Sequence, residues 1–160
     1  MTKIAGFMHD TGNIISRSGH AQSGAILAFN ILTRLGMAPQ EISQVVSAIG
    51  NHDENSGSPV NPVSAALVLA DKSDVRRSRV RNDDFAAFDI HDRVNYAVEE
   101  SVLKIDGEQK ILTLSLQIDT MISSKMEYFE IFLTRMMMCR KAADYLGGTF
   151  ELIMNNTKMV

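Results

Sequence analysis

His9 and Asp10 stand side by side at the end of the apolar run KIAGFM and just before the glycine turn TGN. An imidazole and a carboxylate placed where the chain is otherwise building core must be paired, hydrogen-bonded or bound to a cation, because an unpartnered buried charge is costly. Three further residues share that property. His20 opens a helical stretch, and His52 follows Ile49 by three residues. Asp71 lies four residues beyond Leu67 and eight beyond Val63, so helical spacing puts it on their inward stripe. Together they offer three imidazoles and two carboxylates, with no thiolate. That donor set suits Mn, Fe, Zn, Co or Ni rather than Ca. Asp10 has the reach to bridge two ions about 3.5–4 Å apart, an arrangement that activates a water for in-line attack. Asp10 is therefore the residue to which a catalytic role is assigned.

Each of these residues also has a plainer reading. A histidine at a helix end caps it or bonds at the surface, and His52 follows a helix that ends at Gly50. Asp71 has Lys72 beside it as an ion-pair partner. The dipeptide His91-Asp92 is a useful contrast: Asp89 and Asp92 stand three apart at a helix start, close to a capping box, so this pair is read as structural.

The chain has 160 residues, is 45% hydrophobic and 22% charged, and carries a formal net charge of −3. This is the make-up of a globular protein and gives no electrostatic support to nucleic-acid binding. The one cysteine, Cys139, excludes both an intrachain disulfide framework and a cysteine-based zinc site. A reducing, cytoplasmic setting is expected. No run reaches the roughly 18 apolar residues of a membrane span, and the start lacks the pattern of a secretory leader. The 10 methionines are read as soft core filler.

The periodicity predicts the elements that must carry the five residues. A short helix covers residues 1–10 and stops at Gly12. A second covers 20–35, with Ser18 as N-cap, Gly36 just past its end, and Leu27, Ile31 and Leu35 as its apolar stripe. Pro39 opens a third, whose stripe is Ile42, Val45, Val46 and Ile49. After the turn-rich loop NHDENSGSPVNP comes a fourth, from Val63 to Ser78, with Val63, Ala66, Leu67 and Ala70 inward. Beyond residue 81 the character changes. A helix capped by Asp89 precedes two alternating strands, SVLKI and KILTLSLQI, around the turn DGEQ. A long helix over 121–146 ends at Gly147-Gly148, and TFELIM forms a third strand. The expected fold is mostly α: a helical metal-binding core over 1–81, then a helix plus a small α+β part, β-β-α-β, over 82–160. An open three-stranded sheet leaves edges that pairing in a homodimer would cover. The run Arg135 to Met138 is read as core.

The stretches HDTGN at 9–13, GHAQSGA at 19–25, IGNHDE at 49–54 and LADKSD at 69–74, in that order, resemble the HD superfamily of metal-dependent phosphohydrolases. The resemblance covers roughly residues 1–81. It implies that His9, Asp10 and Asp71 bind a metal ion and that His20 and His52 add the ligands of a two-metal site. The arrangement is similar to the branch holding the HD-GYP cyclic-dinucleotide phosphodiesterases and the HD-type diadenosine tetraphosphate hydrolases. Family members cleave phosphomonoesters and phosphodiesters, commonly of nucleotides. Departures accompany the likeness. The family carries a further histidine on a helix upstream of the His-Asp pair, for which this chain has no residues; the short stub before His9 is read as a shortened chain. Thr11 and Asn13 replace the Ile and Lys of the common HDIGK, and GSPVNP stands where a GYP signature would be.

The segment KSDVRRSRVR, residues 72–81, follows Asp71 directly. Its Lys72, Arg76 and Arg77 are the residues expected to hold substrate phosphate, with Arg79 and Arg81 further away. The reading that follows is a hydrolase using one or two divalent transition-metal ions on a small phosphorylated, nucleotide-like substrate. The alternative is an HD scaffold that binds a phosphorylated ligand without turnover, with a regulatory or oligomerising role.

Overall fold

The computed structural model describes residues 1–80 and 88–160. The chain divides into two compact units, Met1–Asp71 and Lys72–Val160. The boundary expected at 81, and Arg81 itself, fall outside the described residues. The fold is mostly α with one small sheet.

The first unit contains helix α1 (Thr2–Met8), a 3₁₀ turn at Thr11–Ile14, α2 (His20–Arg34), α3 (Pro39–Gly50) and most of α4 (Pro62–Ser73). α1 is too short to persist alone. It is held by Ala5 and Met8, which join a core of Ala25, Ala28, Leu32, Val45, Ile49 and Leu67. Pro39 occupies the first turn of α3 as expected, where its missing N–H has no helical partner to lose. Gly36 follows α2 with φ of 74°, the left-handed conformation that ends a helix most cheaply in glycine.

Two expectations for α2 fail. Ser18 is not its cap; Gly19 occupies that position with no side-chain hydrogen bond. The predicted stripe is also displaced. Ile31 and Leu35 are exposed, and the buried face is His20, Ala21, Gly24, Ala25, Ala28 and Leu32. The small residues face inward because neighbouring backbone comes very close. A Cβ on Gly24 would stand 3.2 Å from the Gly12 nitrogen. Large side chains at those positions would not fit, so a stripe drawn through the largest apolar residues points the wrong way. On α3 the expected stripe holds: Ile42, Val45 and Ile49 are buried and Val46 half-buried.

α4 ends at Ser73 rather than Ser78. Of its expected inward residues, Val63 and Leu67 are buried, Ala66 is half-buried and Ala70 is exposed. Its start is set by Asn61, whose side-chain oxygen accepts from the Ser64 amide at 2.7 Å. The Asn61 amide group donates to Gln44 O at 3.2 Å and to Ser47 Oγ at 2.8 Å. One side chain thus caps α4 and ties it to α3.

The second unit holds α5 (Ile90–Ala97), β1 (Val98–Asp106), β2 (Ile111–Ile118), α6 (Lys125–Tyr145), β3 (Thr149–Met154) and β4 (Thr157–Lys158). The sheet order is β1-β2-β3-β4. β1 and β2 form an antiparallel hairpin, and its turn is set by Asp106, which accepts from the amides of Glu108 and Gln109. β2 and β3 run parallel, so their connection must cross over, and α6 makes that crossing. Leu112, Leu114 and Leu116 of β2 and Phe150, Leu152 and Met154 of β3 are buried at alternate positions, as are Tyr128, Phe132, Met136 and Cys139 along α6. Met138 is also core, whereas Met137 is exposed.

Three expectations differ in this unit, the first being that α6 begins at Lys125, behind its Ser124 cap, rather than at 121. The α5 pattern gives way to strand at Val98, earlier than predicted, because Val98 and the residues after it pair with β2. β4 was not legible in so short a segment. It pairs with β3, making the sheet four-stranded. Asp89 caps α5 by accepting from the Asp92 amide at 2.7 Å, so the structural reading of His91-Asp92 stands. No helix among the described residues is long and apolar enough to cross a membrane.

Candidate metal centre

The first unit brings its three histidines together. His9 follows the last turn of α1, His20 begins α2, and His52 follows α3. Each ring is fixed in the same way. Nδ1 of His9 bonds Gly6 O at 2.8 Å, Nδ1 of His20 bonds Arg17 O at 3.0 Å, and Nδ1 of His52 bonds Ile49 O at 2.6 Å. In every case the partner is a carbonyl three residues earlier. A carbonyl can only accept, so each Nδ1 carries a proton, and in the neutral form of each ring the lone pair lies on Nε2.

Those three Nε2 atoms face one another and two carboxylates. Nε2 of His20 and of His52 are 3.2 Å apart. Asp10 Oδ1 is 3.5 Å from His20 Nε2 and 3.8 Å from His52 Nε2, and its Oδ2 is 3.5 Å from His9 Nε2. Asp71 Oδ1 is 3.6 Å from His9 Nε2. Two groups result: His9, His52 and Asp71, and Asp10, His20 and His52, with the ligand atoms of each group within 4.8 Å of one another. His52 belongs to both and is 1% exposed, whereas the Asp10 side chain is 46% exposed. The cluster is therefore closed at His52 and open at Asp10.

Charge is distributed to match. Burial works against a charged His9, but the Asp71 carboxylate, the Gly6 carbonyl and the Asp10 carboxylate outweigh it, so the His9 pKa lies above its ordinary value. Contact with His52 and the nearby His9 hold the Asp10 carboxyl well below the usual carboxylate range, although burial and the Asp71 charge oppose this. Asp10 is ionised at neutral pH.

The backbone makes this convergence possible. A side chain on Gly12 would run into His20 O, and its Cβ would stand 2.6 Å from Gly24 N. Only a residue without Cβ lets the turn after Asp10 lie against the start of α2, which brings Asp10 to His20. After His52 the chain turns tightly around Asp53, whose carboxylate accepts from the Asn55 amide at 3.0 Å and from Ser56 Oγ at 3.3 Å. Its other oxygen is 4.0 Å from His20 Nδ1. Asp53 was missed in the sequence, although the repeated dipeptide His52-Asp53 was there to mark it.

These residues fit a divalent cation on two counts. His9 Nε2 is buried with no hydrogen-bond partner among the described residues, an orphaned polar atom that a cation would satisfy. Backbone fixation of each imidazole through its other nitrogen is the outer-shell arrangement typical of metal-ligating histidines. The first unit thus brings all five expected ligands into one His/Asp cluster that can hold a metal ion.

The residues expected to hold phosphate belong to the second unit and are engaged there. Lys72 is buried. Arg76 pairs with Asp74 at 2.8 Å, and Arg79 reaches the same carboxylate at 3.5 Å. Arg77 donates to Tyr96 O at 2.7 Å, lies 4.5 Å over the Tyr96 ring and is 3.8 Å from Glu99. No protein-family model, no curated protein and no solved structure matches this chain.

Proposed function

We propose that the protein is a metal-dependent phosphohydrolase, with His9, Asp10, His20, His52 and Asp71 holding one or two divalent transition-metal ions. The observation that carries this reading is the set of three imidazoles, each pinned at Nδ1 to its own backbone, turning their Nε2 lone pairs onto two carboxylates. The four motifs of the first 81 residues that resemble the HD superfamily supply the reaction class, hydrolysis of a phosphate ester.

Bound there, a divalent ion supplies Lewis acidity and lowers the pKa of water toward neutrality. The protein residues do the positioning. Asp10 is ionised, touches both halves of the cluster and is its solvent-facing member, so substrate enters on the Asp10 side. His52 lies at the closed end and fixes the depth of the site. The Nδ1 anchors keep the rings from rotating, so the site is formed before ligand arrives.

The test is hydrolysis of p-nitrophenyl phosphate, bis(p-nitrophenyl) phosphate and a nucleotide panel with added Mn, Co or Ni and with chelator. Metal-dependent turnover that falls about 100-fold or more in His9→Ala and Asp71→Ala proteins is expected, since loss of an outer-shell partner alone costs 10–100-fold. Full metal-dependent rates in both variants would refute the mechanism.

A further inference from the structure

The sheet of the second unit has two edges, and the chain treats them differently. On the β3 side, Ile153 and Met154 pair with Lys158 and Thr157 of β4. Leu152 continues the pairing, donating to Val160 O at 3.3 Å and accepting from the Met159 amide at 2.8 Å. The chain's own tail therefore covers that edge. β1 is the outermost strand on the other side, nine residues long and free of Pro and Gly. Among the described residues, no backbone hydrogen bond reaches Val98–Asp106 except from β2. An edge of that length carries a row of backbone donors and acceptors ready to pair with another strand.

The side chains of β1 select the partner. They alternate across the strand, so Glu100, Val102 and Lys104 share one face. Leu103 and Ile105 share the other, opposite Leu114 and Leu112 of β2, which are core residues. Glu100 and Lys104 are exposed, and neither has an ion-pair partner among the described residues. Two copies related by a twofold axis through the sheet pair antiparallel, with one residue opposite its own counterpart. With Glu100 or Lys104 at that centre, like charges meet. With Leu103 there, Glu100 faces Asp106 of the second copy. With Ser101 there, no charges pair. With Val102 there, Glu100 faces Lys104 of the second copy and Lys104 faces its Glu100, giving two opposite-charge pairs on one face. Val102 then meets Val102, and on the other face each Ser101 meets a Leu103. The bulge at Glu99 lies just outside these five residues.

We infer that the protein forms a twofold homodimer through the β1 edge, centred on Val102, so that two four-stranded sheets join into one continuous sheet. The inference rests on the second unit alone and stands whether or not the first unit hydrolyses phosphate esters.

Sedimentation equilibrium of the full chain, from low micromolar to near-millimolar concentration, tests this. The wild type is expected to reach twice the chain mass. Lys104→Glu sets carboxylates against carboxylates, and Glu100→Lys sets ammonium groups against ammonium groups. Each is expected to weaken the dimer about tenfold or more, because two attractive cross-strand pairs become repulsive. The double variant restores association. So does an equimolar mixture of the two single variants, since each then meets the opposite charge. A wild type that stays monomeric throughout overturns the inference and leaves the edge to a strand of another protein. A dimer equally strong in every variant also overturns it, because the interface then lies elsewhere. Amide exchange over residues 100–104 of the wild type is expected to slow as concentration rises, a readout that needs no variant to fold; unchanged exchange overturns the inference.

Discussion

The Nε2 atoms of His20 and His52 lie 3.2 Å apart, and each ring has its Nδ1 on a backbone carbonyl. In their neutral forms the two rings point lone pairs at one another, with Asp10 Oδ1 3.5 Å and 3.8 Å away. A cation shared among the three would satisfy both nitrogens and the carboxylate at once. Added Mn or Zn is expected to raise the thermal midpoint of the wild-type protein. By mass action the gain is about 2.7 kcal/mol at a metal concentration 100 times Kd. His52→Ala removes a ligand from both groups and abolishes the shift. A midpoint that rises equally in wild type and variant would show that the metal binds elsewhere.

Two glycines should respond in opposite directions. At Gly12 a methyl group collides with the backbone of His20 and Gly24. Gly12→Ala should cost about 1–3 kcal/mol, as overpacking does, and weaken metal binding by separating Asp10 from His20. Gly6 lies within α1 with nothing within 4 Å of its would-be Cβ. Gly6→Ala should stabilise by about 0.5–1 kcal/mol through helix propensity. Urea denaturation of the two variants, with metal titration, checks both signs.

The start of α6 sets an acid limit. Ser124 and Glu127 form a reciprocal capping box, and Arg93 donates to Glu127 at 2.7 Å. Arg93, then the Ser124 amide, lower the Glu127 pKa from 4.5 to about 2. A carboxyl depressed in the fold contributes stability above its unfolded pKa and loses it as pH falls through the folded one. The contribution is thus complete above about pH 4.5 and disappears toward pH 2. Glu127→Gln should flatten this part of the stability–pH curve, measured by denaturation at fixed pH steps. A wild-type curve already flat over that window would contradict the ion pair.

Tyr128 is fully buried, and its hydroxyl has no hydrogen-bond partner among the described residues. Burial pushes the phenol well above its usual range. An unsatisfied buried hydroxyl carries a desolvation cost of about 1–3 kcal/mol. Tyr128→Phe keeps the ring against Phe132, at 5.0 Å, and is expected to raise stability by about 1 kcal/mol. A loss of stability of similar size would indicate that the hydroxyl is satisfied in solution.

Periodicity and end signals in the sequence were enough to locate α3 from its proline and its stripe, β3 from its alternation, and the end of α2 from Gly36. Those signals are local, so they survive without knowledge of neighbours. The five cluster residues were legible too, because a charged or titratable group on an inward stripe is anomalous wherever the chain goes. Tertiary structure alone decided the rest. α2 turns Ala and Gly inward because the Gly12 turn lies against it, a contact between distant segments that reverses the stripe read from large apolar residues. Asn61 and Asp53 gain their roles from what α3 and His20 bring near them, and β4 exists only because β3 offers an edge. Spacing along one chain fixes which face of an element a residue occupies. How closely two backbones approach, and so which nitrogen meets which oxygen, is set by packing between elements.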